Sequence, residues 1–354
     1  MLSLRPITYR LLRTFGLGRD TLAEMAVERW EIAPAEVMNV PPAIILPGQV
    51  ERITRTEFAP LDVVLASLTG NPAEQVGPTT AYRLRDVDLV DGVLYLGGLT
   101  LHLRARTRRL PLYRRPKRQG SGSLYETWVG NRWFGNWLLD DCLSYRLAEG
   151  TGAPVTTMPI SGGHVPRYEE LLDMTPRRIE DAHFDELIVF DDYANNSHRK
   201  ARAQDMRRRL LKGRDPKPHP GVFLFRGRTG DLRVMENEED IAKRLESERG
   251  FRVMSAPDCS VDELMEACGG ARVIAGIEGS QLNHGIAVMP PGGTLFTIQP
   301  ADRATTAMKL LTDRGQQSFA AVDGIGEARS IRAEWAEVAL TLDRIESAPA
   351  EGSF

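Results

Sequence analysis

Through the second half of the chain, short apolar runs alternate with longer stretches whose apolar residues recur every three or four positions. Residues 221–225 (GVFLF), 251–255 (FRVMS), 272–277 (RVIAGI), 294–298 (TLFTI) and 319–322 (FAAV) have strand length and strand composition. Helical patterns fill the gaps over about 238–249, 260–268, 281–288 and 305–312, and a last one runs from 327 to about 346. Ser260 and Glu263 have the spacing of a capping box, which marks one helix start. Strands and helices in strict alternation predict a parallel, Rossmann-like sheet.

Residues 271–300 concentrate polar chemistry within that rhythm. The run 272–277 opens into the polar, glycine-rich turn 276–280, a helix follows over 281–288, and PPGG at 290–293 closes it. Open α/β sheets bind ligands where a strand ends and a helix begins. Glu278, Gly279, Ser280, Asn283 and His284 lie at or just beyond that point. His284 ranks second, because it sits a full turn into the helix.

The first half is less regular. Residues 19–60 carry five prolines and little periodicity, and read as an entry segment with short extended pieces. Residues 81–106 alternate as strands do, and Asp91-Gly92 between apolar runs marks a hairpin. Residues 123–150 pack Trp128, Trp133, Phe134 and Trp137 together. The pattern predicts a helix from Trp133 to about Gly150, with Asn131 as its N-cap. Asp140 and Asp141 interrupt this apolar helix. A carboxylate beside aromatic rings is desolvated, which suits it to general-base work, although one of two adjacent aspartates is ordinarily bland. Residues 155–158 predict a strand opening into a glycine turn with His164. Residues 187–190 predict another, ending in a polar loop with His198. Lone loop histidines are more often surface residues than chemistry. The pattern divides the chain into 1–80, 81–213, 214–330 and 331–354, with the proline-rich 214–221 as linker.

Composition narrows the function. With 354 residues the chain has room for two cores, and a net charge of −3 gives no global field for nucleic acid. Cys142, Cys259 and Cys268 form no CxxC pair, which speaks against a disulfide framework and a zinc site and for a reducing, cytoplasmic compartment. No apolar run is long enough to span a bilayer. The N-terminus has arginines at 5, 10, 13 and 19 and no acid before Asp20. A helix packed on its own domain is the default reading there; the alternative is peripheral contact with an anionic inner-membrane surface. The stretch 104–118 is also basic and proline-broken, a solvated loop by default and otherwise a phosphate- or lipid-attracting one. Asp86-Val87-Asp88 matches the DxD pattern of metal-dependent sugar transferases but sits inside an alternating strand, so it reads as coincidence. Gly324-Ile-Gly326 is too late and too short for a dinucleotide fingerprint, and Walker, HExxH and GxSxG motifs are absent.

Three clusters fall at predicted strand ends: Arg226 with Arg228, Asn237 with Glu238, and Glu278-Gly279-Ser280. Arginines pair with phosphate oxygens, amides at a helix start add donors, and a carboxylate suits ribose hydroxyls. Together they could hold a nucleoside diphosphate. The alternative for the arginines is a salt bridge to Glu236 or Glu238.

These motifs, in this order, resemble glycosyltransferase family 61: FRGRTGDLR at 225–233, Asn237-Glu238 opening a helix, Gly250-Phe251 before a strand, the turn in GIEGSQLNH, and PPGGT before the last core strand. FGNWLLDD resembles the family's aromatic-His-Trp-Leu-x-Asp stretch, with Asn136 where a histidine is common. The turn carries Glu278-Gly279 where His-Gly is frequent. The resemblance implies an α/β, GT-B-like architecture: two Rossmann-like domains facing across a cleft, here with extra β hairpins in the N-terminal part. It implies an inverting, metal-independent glycosyltransferase without a cofactor, because the nucleotide-sugar is a substrate. Residues 81–213 would take a glycan or glycolipid acceptor in capsule, lipopolysaccharide or exopolysaccharide synthesis, and 214–330 the donor. Arg226, Arg228, Asn237, Glu238, Glu278, Gly279 and Ser280 would bind donor. Asp141 or Asp140 would be the base, with Trp137, Asn136 and His164 on the acceptor side. The transferred sugar stays open between hexose, pentose and N-acetylhexosamine. A non-catalytic scaffold of a polysaccharide-assembly complex is the alternative, prompted by Asn136.

Overall fold

The computed structural model describes residues 2–16, 21–108, 111–159, 162–227 and 233–348. It is a mixed α/β protein of two compact units, Met1–Glu36 with Gly77–Arg202, and Val37–Val76 with Ala203–Phe354.

The second unit is built on five parallel strands. Side by side they are Arg252–Ser255, His219–Phe225, Ala271–Ile277, Thr294–Pro300 and Ser318–Glu327. In chain order that is 2-1-3-4-5, so the winding reverses between the first strand, His219–Phe225, and the third, Ala271–Ile277. Every residue of Thr294–Pro300 is buried, as a strand covered on both faces must be. Phe223, Phe296, Val322, Leu245, Val338 and Leu342 form the core between sheet and helices. The capping box at Ser260 and Glu263 starts the helix Val261–Gly269.

Two features differ from the sequence reading. The last helix begins at Trp335, because Ser318–Glu327 turns back on Ser330–Arg332 as an antiparallel hairpin and removes 327–332 from the helix. Residues 37–76 also belong to this unit instead of forming an N-terminal entry segment. Ile44 and Ile45 pair in parallel with Ala320 and Ala321, and Arg52 donates to Glu337 at 2.9 Å. The units therefore change over at 36/37, 76/77 and 202/203, not at 80/81 and 213/214. Pairings across more than 270 residues leave no local mark.

Asp323, in the last parallel strand, is buried and accepts from Gln299 Nε2 at 3.0 Å. Burial raises its pKa to about 6, against the lowering effect of Gln299. An unfolded aspartate releases its proton near 3.9. Between those values the folded chain binds more protons than the unfolded one. Stability therefore falls as pH rises from about 4 through about 6, and the deficit persists above. Asp323→Asn should raise the melting temperature at pH 7.5, by at most about 2–3 kcal/mol of stability, and the gain should vanish at pH 4. Paired thermal melts showing the same gain at both pH values would exclude the titration as its cause.

The first unit has an eight-stranded mixed sheet. Arg177–Arg178, Pro154–Thr156, Arg118–Leu124 and Ala182–Asp191 run parallel in that order, a 3-2-1-4 winding. The sheet continues antiparallel through Thr79–Val90, Val93–Leu96 and Leu99–His102, and Glu28–Ala33 also pairs with Thr79–Val90. This meander contains the expected hairpin, with Asp91 and Gly92 both at positive φ in its turn. Leu84, Val87, Leu89, Phe184 and Leu187 fill the core below it. The DxD match proves to be an ion network. Asp88 is fully buried and accepts from Tyr113 Oη at 2.8 Å, lies 2.8 Å from His183 Nδ1, and pairs with Arg5 at 3.0 Å. Asp86 pairs with Arg5 and Arg115.

Candidate functional site

In the second unit, the carboxyl ends of the strands at the winding reversal carry the polar turn and the first arginine. His219–Phe225 ends directly before Arg226, and Ala271–Ile277 directly before Glu278, Gly279 and Ser280. Neighbouring parallel strands thus bring residues about 50 positions apart to one point. The Arg226 side chain is buried, and its Nη1 donates to Gln281 Oε1 at 3.0 Å. It lies across Gly279: a Cβ there would stand 1.8 Å from Nη1, so any larger residue would displace the guanidinium.

Two further arginines, which the sequence reading did not single out, complete this end of the sheet. Arg233 Nη1 and Arg303 Nη1 both donate to Glu278 Oε2, at 2.5 and 3.1 Å. Glu278 is therefore an internal counter-charge and not an uncommitted ribose ligand. Glu238 is likewise engaged, accepting from the backbone N–H of Arg226 at 2.7 Å and of Gly227 at 2.9 Å. It fixes the turn after the strand by its carboxylate, a different contact from an arginine salt bridge. Burial raises its pKa and those two amides oppose the rise. Burial, then repulsion from Arg233, lowers the pKa of Arg226 to about 10. Among the described residues three guanidiniums gather here with the carboxylates of Glu278, Glu238 and Glu57, the last 3.8 Å from Arg303; guanidiniums held this close to one another suit an anion.

Asn237, expected beside the donor, is also a structural residue. Its side chain donates to Ala333 O at 2.9 Å and accepts from Ala333 N at 3.1 Å, tying the helix Glu238–Arg249 to the segment after the hairpin. Asn237→Ala should lower stability by about 1–3 kcal/mol, as urea unfolding would measure; an unchanged unfolding midpoint would remove the structural role. The helix after the turn, Leu282–Ile286, has only five residues, so its dipole adds little to anion binding. Asn283 and His284 are buried within it. Arg228 lies outside the described residues.

The first unit has its own winding reversal, between Arg118–Leu124 and Ala182–Asp191. Glu126 and Thr127 follow the first of these strands and Asp192 the second. Glu126 is buried; its Oε2 accepts from Thr156 Oγ1 at 2.6 Å and Thr157 N at 2.9 Å. Its Oε1 has no partner among the described residues, and burial raises its pKa. For Asp192, burial alone would raise the pKa, but Arg202 at 2.6 Å outweighs it and holds the carboxyl below the usual range.

The helical stretch after Thr127 differs in detail from the expectation. Thr127, not Asn131, is the N-cap, accepting from Gly130 N at 3.0 Å, and the first helix is only Trp128–Arg132. A second start at Phe134 leads through a π turn, Trp137–Asp141, into Cys142–Thr151. Such widened turns cluster at functional sites. Here the turn parts the two aspartates. Asp141 points inward and accepts from Thr127 Oγ1 at 2.8 Å and Thr127 N at 3.2 Å, packed against Gly130. Burial holds its pKa well above the usual carboxylate range, against those bonds. Asp140 pairs with buried Arg199 at 2.5 Å and accepts from Asn136 Nδ2 at 2.9 Å, and its side chain keeps 12% of its surface exposed. Trp137 stacks near Phe134 at 5.8 Å and Tyr168 at 6.4 Å, and His164 meets Phe134 edge-on at 6.5 Å. Trp137 and His164 thus belong to one aromatic cluster, while the Asn136 side chain is turned to Asp140. The buried Trp137 Nε1 has no acceptor among the described residues.

The sequence model of the family Glycosyltransferase 61 matches residues 74–296, well over half of the chain. The match spans the first unit's sheet except for Glu28–Ala33, and the strands that carry Arg226 and Glu278. No curated protein matches the chain. Among the described residues, no cluster of His, Cys, Asp and Glu suits a metal ion, and no helix is long and apolar enough to cross a membrane.

Proposed function

The chain belongs to glycosyltransferase family 61 and is by that membership a glycosyltransferase; from this premise we propose that it moves a sugar from a nucleotide-sugar to a glycan or glycolipid acceptor, with inversion and without a metal. The convergence of Arg226, Arg233 and Arg303 at the winding reversal of a 2-1-3-4-5 sheet carries this reading. Such a point is where open α/β sheets hold phosphates, and guanidiniums gathered there suit a diphosphate.

In this proposal the donor's diphosphate lies against Arg226 and the Gly279-Ser280 turn. Arg233 and Arg303 keep Glu278 neutralised, so its carboxylate does not repel the phosphates. Asp140 is the base: of the two aspartates, it alone retains exposed surface. It takes the proton of an acceptor hydroxyl, whose oxygen attacks the anomeric carbon opposite the diphosphate. The C–O bond to the diphosphate breaks, and Arg226 stabilises the charge it leaves behind. Phe134, partly exposed and backed by the buried Trp137 and Tyr168, offers an apolar surface to the acceptor. We place the pathway in the synthesis of cell-envelope polysaccharide, in the cytoplasm or at the inner face of its membrane.

A donor screen tests the reading. Calorimetry with UDP-, GDP- and CMP-sugars should find one that binds, and a product assay with envelope glycans should find transfer. The absence of any nucleotide binding would sink it. Binding without transfer to any acceptor would favour a scaffold role, a reading that Asn136 supports by occupying Asp140.

A further inference from the structure

The helix Arg5–Thr14 lies outside the span matched by the family, and its outer face is apolar. Leu4, Leu11 and Phe15 are each more than half exposed, and with Thr8 they fall at positions 4, 8, 11 and 15, one stripe of a helix. The opposite face seats the helix on the first unit through buried Pro6, with Arg5 paired to Asp86 and Asp88. A helix that is anchored on one side and apolar on the other is incompletely covered.

Beside it is a cleft of about 490 Å³ lined by Pro6, Tyr9, Arg10, Arg13, Tyr95 and Arg106. Three guanidiniums converge there. Arg13 donates to Tyr9 Oη at 3.4 Å and Arg106 lies 3.2 Å from His102 Nε2. No ion pair neutralises Arg10, Arg13 or Arg106 among the described residues, and residues 2–16 contain no acid. The basic N-terminus and the basic stretch that begins at residue 104 thus meet in one site.

We propose that this helix docks the protein on an anionic phospholipid surface, with Leu4, Leu11 and Phe15 in the acyl boundary and a lipid phosphate in the arginine cleft. The dimensions agree. An interfacial helix sinks its apolar face about 5–10 Å, and a helix is about 10 Å across, so groups behind the stripe stay at headgroup depth. Charge selects lipid over a second protein, because the cations have no counter-charge among the described residues and each near an anionic surface strengthens binding about fivefold. The proposal holds whatever sugar is transferred.

Flotation of the full chain with vesicles tests it, comparing phosphatidylcholine alone with a 3:1 mixture of phosphatidylcholine and phosphatidylglycerol. Binding is expected to the mixed vesicles, at least about 10-fold above the neutral ones, and to weaken in high salt. Leu11→Asp with Phe15→Asp should reduce it 10-fold or more, as should Arg10→Glu with Arg106→Glu. All these variants should melt as the wild type does; Arg10→Glu alone serves if the second pair unfolds. Equal binding to both vesicles, or undiminished binding by the Asp pair, would overturn the proposal. So would retention of inorganic phosphate without flotation, which would make the cleft a soluble-anion site. Dimerisation lost in the Asp pair, without vesicle binding, would make the stripe a contact between two copies and equally overturn it.

Discussion

Replacing Arg226 by alanine is expected to weaken nucleoside diphosphate binding about 10- to 100-fold, the worth of one or two charge-assisted hydrogen bonds. The fold should survive, because Glu238 holds this turn through the backbone N–H groups of residues 226 and 227 and not through the guanidinium. The loss should therefore appear in affinity and not in melting temperature. Gly279→Ala should reproduce it without touching Arg226, since a Cβ would occupy the place of Nη1. Calorimetry with the donor found in the screen, and with its free diphosphate, measures both variants. Wild-type affinity in both would remove the phosphate from this end of the sheet.

The second large effect separates the aspartates. Asp140→Asn should lower turnover by a factor of about 10² to 10⁴, the usual contribution of a general base, while donor affinity stays unchanged. Asp141→Asn should leave both nearly as in the wild type. Burial disfavours the charged form of the Asp141 carboxyl and holds its pKa well above the usual range, so a neutral amide of the same shape suits that place. Asp140 also pairs with Arg199, which is buried, and losing that partner strands a charge. The double variant Asp140→Asn with Arg199→Met keeps the site neutral and should melt higher than Asp140→Asn while remaining inactive. An active Asp140→Asn enzyme beside an inactive Asp141→Asn one would transfer the base role to Asp141.

The two residues illustrate what a sequence can and cannot display. Adjacent acids in an apolar helix announce that something unusual is there. Which acid is sealed and which is accessible depends on the π turn Trp137–Asp141 and on Thr127 and Arg199, the latter nearly 60 positions away. The donor side follows the same rule. Arg226 and Gly279 were legible because strand ends can be read from local patterns, and a glycine beside a polar turn signals a close approach. Glu278 was legible as a polar residue in the right place but not in its role, because Arg233 and Arg303 reach it from separate segments. Arg233 stands in the stretch 225–233 that carried the family resemblance, and that stretch was the available signal for it.

The sequence alone determined the alternation of strand and helix in the second half, the strand-end position of Arg226 and of the 278–280 turn, and the family. Each is set by local periodicity or by a short motif, and local periodicity is written residue by residue. The tertiary structure alone decided the strand order and hence the two winding reversals. It also placed Ile44 and Ile45 beside Ala320 and Ala321, and the basic stretch near residue 106 beside the first helix. Strand neighbours are chosen by burial of whole faces against one another, a sum over many distant residues that no single window of sequence contains.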